Sequence, residues 1–284
     1  AYDRAALAAG ISQARHADVA DQQANVDLVS LRVRVGIAAR YQLARAQSGL
    51  AIALQAAEDA NAERDEALND LKVALDFDLS SQLSLSDGLM SATTRESLAD
   101  FDARVLIQRP DVVAAKARMD AADAALRQAK AEYAPTAWLS GQTYNGASSP
   151  QLGATGSQVS LSVSLPLLDG GRRSAQVAEA GAARDKAQVD YERATLMAQD
   201  DVANAWRELL AARTNIQTAQ SALASAQENL RVAHLREHAG KGIELETLDA
   251  LSVLASARET ALRAQARVDL AVAGLHHAAG DPVN

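Results

Sequence analysis

The stretch LSVSLPLLDGGRRSAQVAEA, residues 161–180, joins two incompatible patterns. Apolar residues alternate with serines up to Pro166, which is the period of a β-strand with one apolar and one polar face. After Gly170 and Gly171 a helical pattern begins and continues to residue 239 without a proline. The sequence therefore predicts an amphipathic strand that leads into a very long helix.

The composition limits the kind of core and the kind of partner. Aromatic residues make up 3% of the 284 residues and alanine fills many apolar positions, so the helices are expected to pack closely along thin seams. The net charge of −8 argues against a nucleic-acid surface, and the absence of cysteine excludes disulfides and thiolate metal sites. No run of about 18 apolar residues is present, so no transmembrane helix is expected.

The long helix carries a coiled-coil pattern. One core position of its heptads holds Val202, Leu209, Ile216, Leu223 and Leu230, and alanine stands three residues after each of them. A large residue at one core position and alanine at the other allow the axes of neighbouring helices to approach closely.

The pattern also repeats. A shift of 204 residues places Gly240 on Gly36, the alanine series from residue 250 to residue 278 on the series from 46 to 74, and Leu254 on Leu50. Each glycine stands where one helix should end and the next begin. The sequence therefore predicts two copies of a helical hairpin, with tips at Gly36 and Gly240.

The remaining segments fill the space between the hairpins. We expect residues 1–75 to form the helical hairpin of repeat one, 76–108 a connector with short helices, and 109–134 a long helix that opens with Pro110. Residues 135–168 are expected to form a β-hairpin with a loop rich in glycine and serine over 146–157, and residues 169–284 the long helical hairpin of repeat two.

In this order of elements the chain resembles the TolC-like outer-membrane efflux proteins. The resemblance rests on RPDVVAAKARMDAADAALRQAKAEYAPTAWLSG at 109–141, on SLSVSLPLLDGGRRSAQVAEA at 160–180, and on the two hairpins with glycine tips. It implies a mainly α fold of long antiparallel coiled-coil hairpins in two repeats, in which the β-hairpin contributes to a trimeric barrel in the outer membrane of a Gram-negative bacterium. Family members carry two strand hairpins, whereas this sequence has only the second, so the resemblance also implies a partial chain that lacks the N-terminal quarter.

The resemblance implies a function as well. It implies a passive exit duct across the periplasm and the outer membrane, serving a tripartite efflux pump or a type I secretion system and gated at its periplasmic tip. The implied partners are two further copies of the chain, a periplasmic adaptor protein, an inner-membrane transporter of the RND, ABC or MFS type, and outer-membrane lipid. The alternative is a periplasmic adaptor or structural coiled-coil protein without a pore, although the all-β module that adaptors usually carry is not visible.

The hairpin tips supply the first group of candidate site residues. Glu246 and Asp249 share one helix face just after the second tip. The resemblance implies that three copies of this pair form an acidic ring at the periplasmic entrance, and the alternative is a solvated charged face. The residues expected to meet an adaptor are Gly36, Ile37, Gly240 and Lys241. Family members that lock the tip use an arginine and an aspartate where this chain has Gly242 and Gln42.

The strand-to-helix junction supplies the second group, which consists of Pro135, Pro166, Asp169, Gly170 and Gly171. Two further interpretations stay open. Arg172 and Arg173 could meet lipid phosphates where barrel becomes helix, with Trp138 and Tyr144 at a membrane interface, or they could be ordinary residues of a soluble hairpin.

The sequence offers no enzyme motif. No nucleophile–base arrangement, phosphate loop or dinucleotide motif is present, so neither catalysis nor a cofactor is expected. His234 and His238 have a spacing that can chelate a metal, but no carboxylate motif accompanies them, and we expect them to lie on a solvated helix face.

Overall fold

A computed structural model describes residues 1–85, 88–89, 96–144 and 156–281. The elements in chain order are α1 (Tyr2–Arg34), α2 (Arg40–Ala74), α3 (Leu98–Gln108), α4 (Pro110–Ala131), β1 (Thr136–Tyr144), β2 (Gly156–Ser164), α5 (Arg172–His238) and α6 (Glu244–Ala279). They form two compact units, one made of Ala1–Phe101 with Asp201–Asn284 and the other of Asp102–Asp200. The connector contains α3, and the loop predicted over 146–157 lies mostly outside the described residues.

The first unit contains the two helical hairpins. Helices α1 and α2 pack against each other through two small apolar clusters, one of Ala5, Ala8, Ala67 and Leu71 near the open end and one of Val26, Val29 and Ala46 near the tip. Because most of these side chains are small, the helices can lie close together at both clusters.

The part of α5 in the first unit buries the predicted seam unevenly. Its alanines at 212, 219, 226 and 233 are buried, as are Val202 and Leu209. Ile216, Leu223 and Leu230 are only half-buried. Equivalent positions of the two repeats share their burial, since Ala46 and Ala250, Ala67 and Ala271, and Leu71 and Leu275 are all buried.

Charged side chains connect the two hairpins between α1 and α6, at a distance from the tips. Arg258 on α6 donates to Asp18 at 2.6 Å and to Asp21 at 2.8 Å, both on α1. In the other direction, Arg15 on α1 is hydrogen-bonded to Glu259 on α6. The two arginines thus hold α1 and α6 in one register.

The second unit contains α4, the start of α5 and the β-hairpin between them. Asp123 on α4 accepts a hydrogen bond of 3.1 Å from Arg184 on α5. The strands are antiparallel, with Thr136 opposite Ser164 and Tyr144 opposite Gly156. β1 begins at Thr136, directly after Pro135.

Candidate functional site

The two hairpin tips have the same backbone, which is the local signature of the repeat. Gly36 and Gly240 have φ angles of +77° and +67°, a region that glycine enters without strain. The N–H of Ile37 donates to the carbonyl of Arg32 at 2.9 Å, and the N–H of Lys241 donates to that of Arg236 at 2.8 Å. A glycine after the helix with these return hydrogen bonds satisfies carbonyls that the helix end leaves free.

The side chains around the tips are opposite in charge. In the shift of 204 residues, Arg40 corresponds to Glu244, Gln42 to Glu246, Arg45 to Asp249 and Val33 to Glu237. The first tip therefore presents cations on the helix that follows it, and the second presents carboxylates. Tips of opposite charge attract each other when they lie side by side.

The two tips meet at a buried carboxylate. Glu237, near the end of α5, is 6% exposed. It pairs with Arg32 at the end of α1, and its Oε2 accepts a hydrogen bond of 2.7 Å from the hydroxyl of Thr247, which is fully buried on α6. One carboxylate thus joins three helices, two of them from repeat two and one from repeat one.

A second carboxylate lies beside it. Glu244, at the start of α6, is 7% exposed, and its Oε1 accepts no hydrogen bond from the described part of the chain. Burial raises the pKa of Glu244 above the ordinary value of 4.5, and the neighbouring Glu237 raises it further, while Arg45, Gln42 and Arg32 oppose the rise. Both carboxylates line a cavity of about 630 Å³ between the tips.

The residues predicted for the acidic ring lie just beyond this cluster. Asp249 is exposed. Glu246 is half-exposed, and its Oε2 lies 3.6 Å from Nη1 of Arg236 on α5. The two carboxylates stand on the same face of α6, but Arg236 offsets part of the charge of Glu246.

The predicted docking residues are at the surface. Ile37 is 79% exposed, and Lys241 is exposed as well. Gln42 closes the start of α2, because its Oε1 accepts a hydrogen bond of 2.8 Å from the N–H of Ala39. Gly242 is closely packed, since a Cβ built on it would lie 2.9 Å from the backbone nitrogen of Glu237.

The strand-to-helix junction is organised by Asp169. Its carboxylate accepts hydrogen bonds from the N–H groups of Gly171 at 3.2 Å and Arg173 at 3.1 Å, so it caps the start of α5. Gly170 and Gly171 have φ angles of +64° and +86°, which complete the tight turn. The hydrogen bond from the Arg173 side chain is the largest cause that lowers the pKa of Asp169.

Arg173 is the residue of this junction for which the sequence left two interpretations open. It is 6% exposed, and its guanidinium donates to Asp169 and to the carbonyl of Pro166, both at 2.6 Å. It also donates to the carbonyl of Glu132 at 3.4 Å and covers the ring of Tyr133 at 4.8 Å. The interpretation of Arg173 as a lipid contact is therefore wrong, because its donors are used inside the fold. Pro135 is exposed, between Tyr133 and β1.

The β-hairpin has one apolar and one polar face. Leu139, Val159, Leu161 and Val163 share the apolar face and are 66–73% exposed. The polar face carries the serines, and the hydroxyls of Ser140 and Ser160 are 2.7 Å apart. Trp138 stands opposite Ser162 on this polar face, which the alternation of β1 determines. The side chain of Tyr144 lies outside the described residues.

Neither a metal centre nor a membrane-spanning helix is found within the described residues. Among the residues described, no cluster of three or more His, Cys, Asp or Glu side chains is arranged to hold a metal ion. No described helix combines the length and the apolar character that crossing a membrane requires.

Comparison with known proteins gives the family. Residues 103–281 match the family described as outer membrane efflux protein. The chain belongs to the outer membrane efflux protein family. This match covers α4, the β-hairpin, α5 and α6, which include both the strand-to-helix junction and the second tip.

Relatives of this chain in the outer membrane efflux protein family are only distantly similar in sequence. The outer membrane protein OprJ of Pseudomonas aeruginosa is 29% identical over 199 residues, which are 66% of this chain and 40% of OprJ. Protein CyaE of Bordetella pertussis is 29% identical over 289 residues, which are 96% of this chain and 60% of CyaE. The chain therefore spans about half the length of these relatives.

The solved structure of the outer membrane protein VceC of Vibrio cholerae has the same fold. It superposes with a TM-score of 0.77 over 100% of this chain and 68% of VceC, at 21% identity. The mainly helical fold class expected from the sequence is confirmed. The outer-membrane location expected from the sequence is confirmed by membership of the outer membrane efflux protein family.

Proposed function

We propose that this chain forms part of the wall of a passive exit duct that crosses the periplasm and the outer membrane and serves an efflux pump or a type I secretion system. The observation that supports the proposal best is the pair of helical hairpins, each of which turns at a glycine. The two tips have the same backbone conformation and carry opposite charges. Long helical hairpins of this kind can enclose a wide water-filled path, while their tips form its periplasmic end.

We propose assembly as a homotrimer through the β-hairpin. The apolar face is 66–73% exposed at four side chains, and a two-stranded sheet leaves backbone donors and acceptors unpaired at both edges. Pairing with the edges of neighbouring copies would satisfy these groups, with the apolar face toward lipid and the serine face toward the lumen.

A crosslinking experiment tests the assembly. The chain has no cysteine, so Gln142→Cys and Ser160→Cys introduce the only thiols, one on each strand. If β1 of one copy lies beside β2 of the next, a bifunctional thiol reagent converts the double variant to a covalent trimer. Each single variant serves as the control and stays free of trimer. Because Gln142 and Ser160 are diagonal neighbours within one hairpin, the reagent can also link them inside a single chain. The result that contradicts the trimer is therefore an untreated wild type that remains monomeric at high concentration in detergent.

We propose that the tips form the entrance. Ile37 and Lys241 are exposed beside the two glycines, which fits a surface that receives an adaptor's helical hairpin and an inner-membrane transporter behind it. Glu246 and Asp249 from three copies would concentrate cations at the narrowest point, because fixed charge acts most strongly where a pore is tight. Since Arg236 offsets part of the charge of Glu246, Asp249 should contribute more.

Conductance in planar bilayers tests the acidic entrance. The wild type should prefer cations and be blocked by divalent or trivalent ions from the periplasmic side, and the double variant Glu246→Gln with Asp249→Asn should lose most of both properties. Asp249→Asn alone should lose more than Glu246→Gln alone. The matched control is Glu228→Gln, which removes a carboxylate paired with Arg231 within α5. Full cation preference in the double variant would contradict the ring.

A further inference from the structure

We infer that the contact between the two tips is an acid-sensitive clasp, in which protonation of Glu244 joins the hairpins more tightly. The clasp regulates the entrance proposed above. Only this effect on transport rests on the proposed function. The clasp itself is a property of the contacts among α1, α2, α5 and α6.

The geometry brings two buried carboxylates to one cavity between the tips. Both oxygens of Glu237 accept hydrogen bonds, Oε1 from Arg32 and Oε2 from Thr247. Glu244 is equally buried, but its Oε1 accepts no hydrogen bond within the described residues. An ionised carboxylate that is buried without a full set of donors is costly, and a second carboxylate beside it adds repulsion.

Charged and titratable groups face Glu244 from every helix at the tips. Arg32 comes from α1, Tyr41 and Arg45 from α2, and Glu237 and His238 from α5, all lining the same cavity as Glu244. Arg32 is already paired with Glu237, so Arg45 is the cation that remains to oppose the charge of Glu244. Two arginines thus face two carboxylates, but the contacts are uneven, and the under-bonded oxygen belongs to Glu244.

The repeat shows that this arrangement is confined to the second tip. The position equivalent to Glu244 in the first tip is Arg40, which is exposed, and the position equivalent to Glu237 is Val33, which packs on the apolar cluster of α1 and α2. Neither of those two side chains brings a carboxylate into the first tip. The acid sensitivity therefore arises where the second tip buries its acidic face against the first.

The sign of the effect follows from the raised pKa of Glu244. The joined tips bind a proton that separated tips release, so the contact is tightest below the ordinary value of 4.5 and weakens as the pH rises through the raised value. Each unit of pKa difference corresponds to about a tenfold change in the equilibrium between joined and separated tips. Protonation also supplies an O–H donor in place of a repelling charge.

Amide hydrogen exchange of the full chain in detergent tests the clasp. After correction for the intrinsic pH dependence of exchange, peptides covering 26–45 and 233–250 should be protected more strongly at pH 4.5 than at pH 7.5, by severalfold. Glu244→Gln mimics the protonated form at constant size, so its tips should be protected at both pH values. Peptides from the distant segment 55–70 provide the internal reference.

Two further variants separate Glu244 from its neighbours. Imidazoles also change charge between these two pH values, so His238→Gln must keep the wild-type response if Glu244 is the sensor. Glu237→Gln removes the neighbouring charge and should shrink the response or move it to lower pH. A wild type without a pH response, or Glu244→Gln with an undiminished one, overturns the clasp. Conductance is not measured in this experiment, so failure of the clasp leaves the proposed duct untouched, and failure of the duct leaves the clasp untouched.

Discussion

The first tip and the second tip differ in a way that separates what encodes the fold from what supplies the function. Their backbones carry the same hydrogen bonds, and each turns at a glycine with positive φ. Val33 of the first tip joins an apolar cluster, whereas Glu237 at the equivalent position joins an ion pair. Glycine and the apolar register therefore determine the turn, while the charged positions are free to diverge between the repeats.

The largest expected effect comes from the two arginines that precede the turns. Arg32 and Arg236 are equivalent in the repeat. Arg32 pairs with Glu237, whose side chain is 3% exposed, whereas Arg236 pairs with Glu246, whose side chain is 39% exposed. Arg32→Ala should lower the free energy of unfolding by about 3 kcal/mol, since it leaves a buried charge without its cation. Arg236→Ala should cost at most about 1 kcal/mol, as exposed pairs do.

Denaturant unfolding of the two variants beside the wild type measures this difference. Equal losses of unfolding free energy for Arg32→Ala and Arg236→Ala would show that the two ion pairs contribute equally to stability. That result would contradict the difference between the tips. The double variant Arg32→Ala with Glu237→Gln should recover part of the loss, because it also removes the charge that was left unpaired.

A smaller effect is expected two residues after each glycine. The first tip has Ala38 there and the second has Gly242, and their N–H groups donate to the carbonyls of Arg32 and Arg236 at 3.2 Å and 2.9 Å. A Cβ on Gly242 would meet the backbone nitrogen of Glu237 at 2.9 Å. Gly242→Ala should therefore destabilise the second tip by about 1–3 kcal/mol through overpacking.

The reverse change in the first tip is the matched control. Ala38→Gly removes a Cβ that is already accommodated and should cost no more than about 1 kcal/mol of backbone entropy. Amide exchange at Lys241 and Gly242 reads the second tip directly. Unchanged exchange rates in Gly242→Ala would mean that the second tip accommodates the added Cβ without strain. The close packing of Gly242 would then have no effect on stability.

The smallest effect concerns the contact between α1 and α6 away from the tips, where the carboxylate that joins the hairpins is that of Asp18. Burial raises the pKa of Asp18 above 3.8, although the hydrogen bond and charge of Arg258 and the charge of Arg15 oppose it. The raised pKa means that Asp18 contributes stability at low pH that is lost as the pH rises through the raised value. Asp18→Asn should remove this dependence, a change of about 1 kcal/mol or less.

Thermal unfolding of Asp18→Asn and the wild type between pH 4 and pH 7 measures this pH dependence of stability. Asp21→Asn is the control. Asp21 shares Arg258 with Asp18, but the side chain of Asp21 is 37% exposed, whereas that of Asp18 is 9% exposed. The control should keep the pH profile of the wild type. If Asp18→Asn keeps that profile too, the acid sensitivity of the protein lies at the tips alone.

The parts of the fold that follow from local patterns were predictable from the sequence. Period-two alternation gave the strands, heptads gave the helical hairpins, and the two glycines gave the turns. The contacts at the tips were not predictable, because Arg32 and Glu237 are 205 residues apart and a glutamate at the end of a helix usually lies in solvent. The one available signal was the inversion of charge between repeats, with arginines at 40 and 45 where the other copy has Glu244 and Asp249.

Arg173 could not be placed from the sequence for a related reason. Its neighbour Arg172 is mostly exposed, and nothing in the pair of arginines indicates which one turns inward. The capping of α5 by Asp169 brings the Arg173 side chain back toward the strand, where carbonyls from two other segments are available. Only the turn made by Gly170 and Gly171 brings these groups together.

The contacts of Arg173 also have a consequence for the order in which the chain folds. The guanidinium reaches the carbonyl of Glu132, 41 residues earlier, and that of Pro166, at the end of the hairpin. It can make both contacts only after the two strands have paired and returned the chain to the end of α4. Closing a loop of that length costs entropy before the contacts repay it. The strand hairpin and the first turn of α5 should therefore form in one cooperative step, while the rest of α5 can form earlier from local contacts.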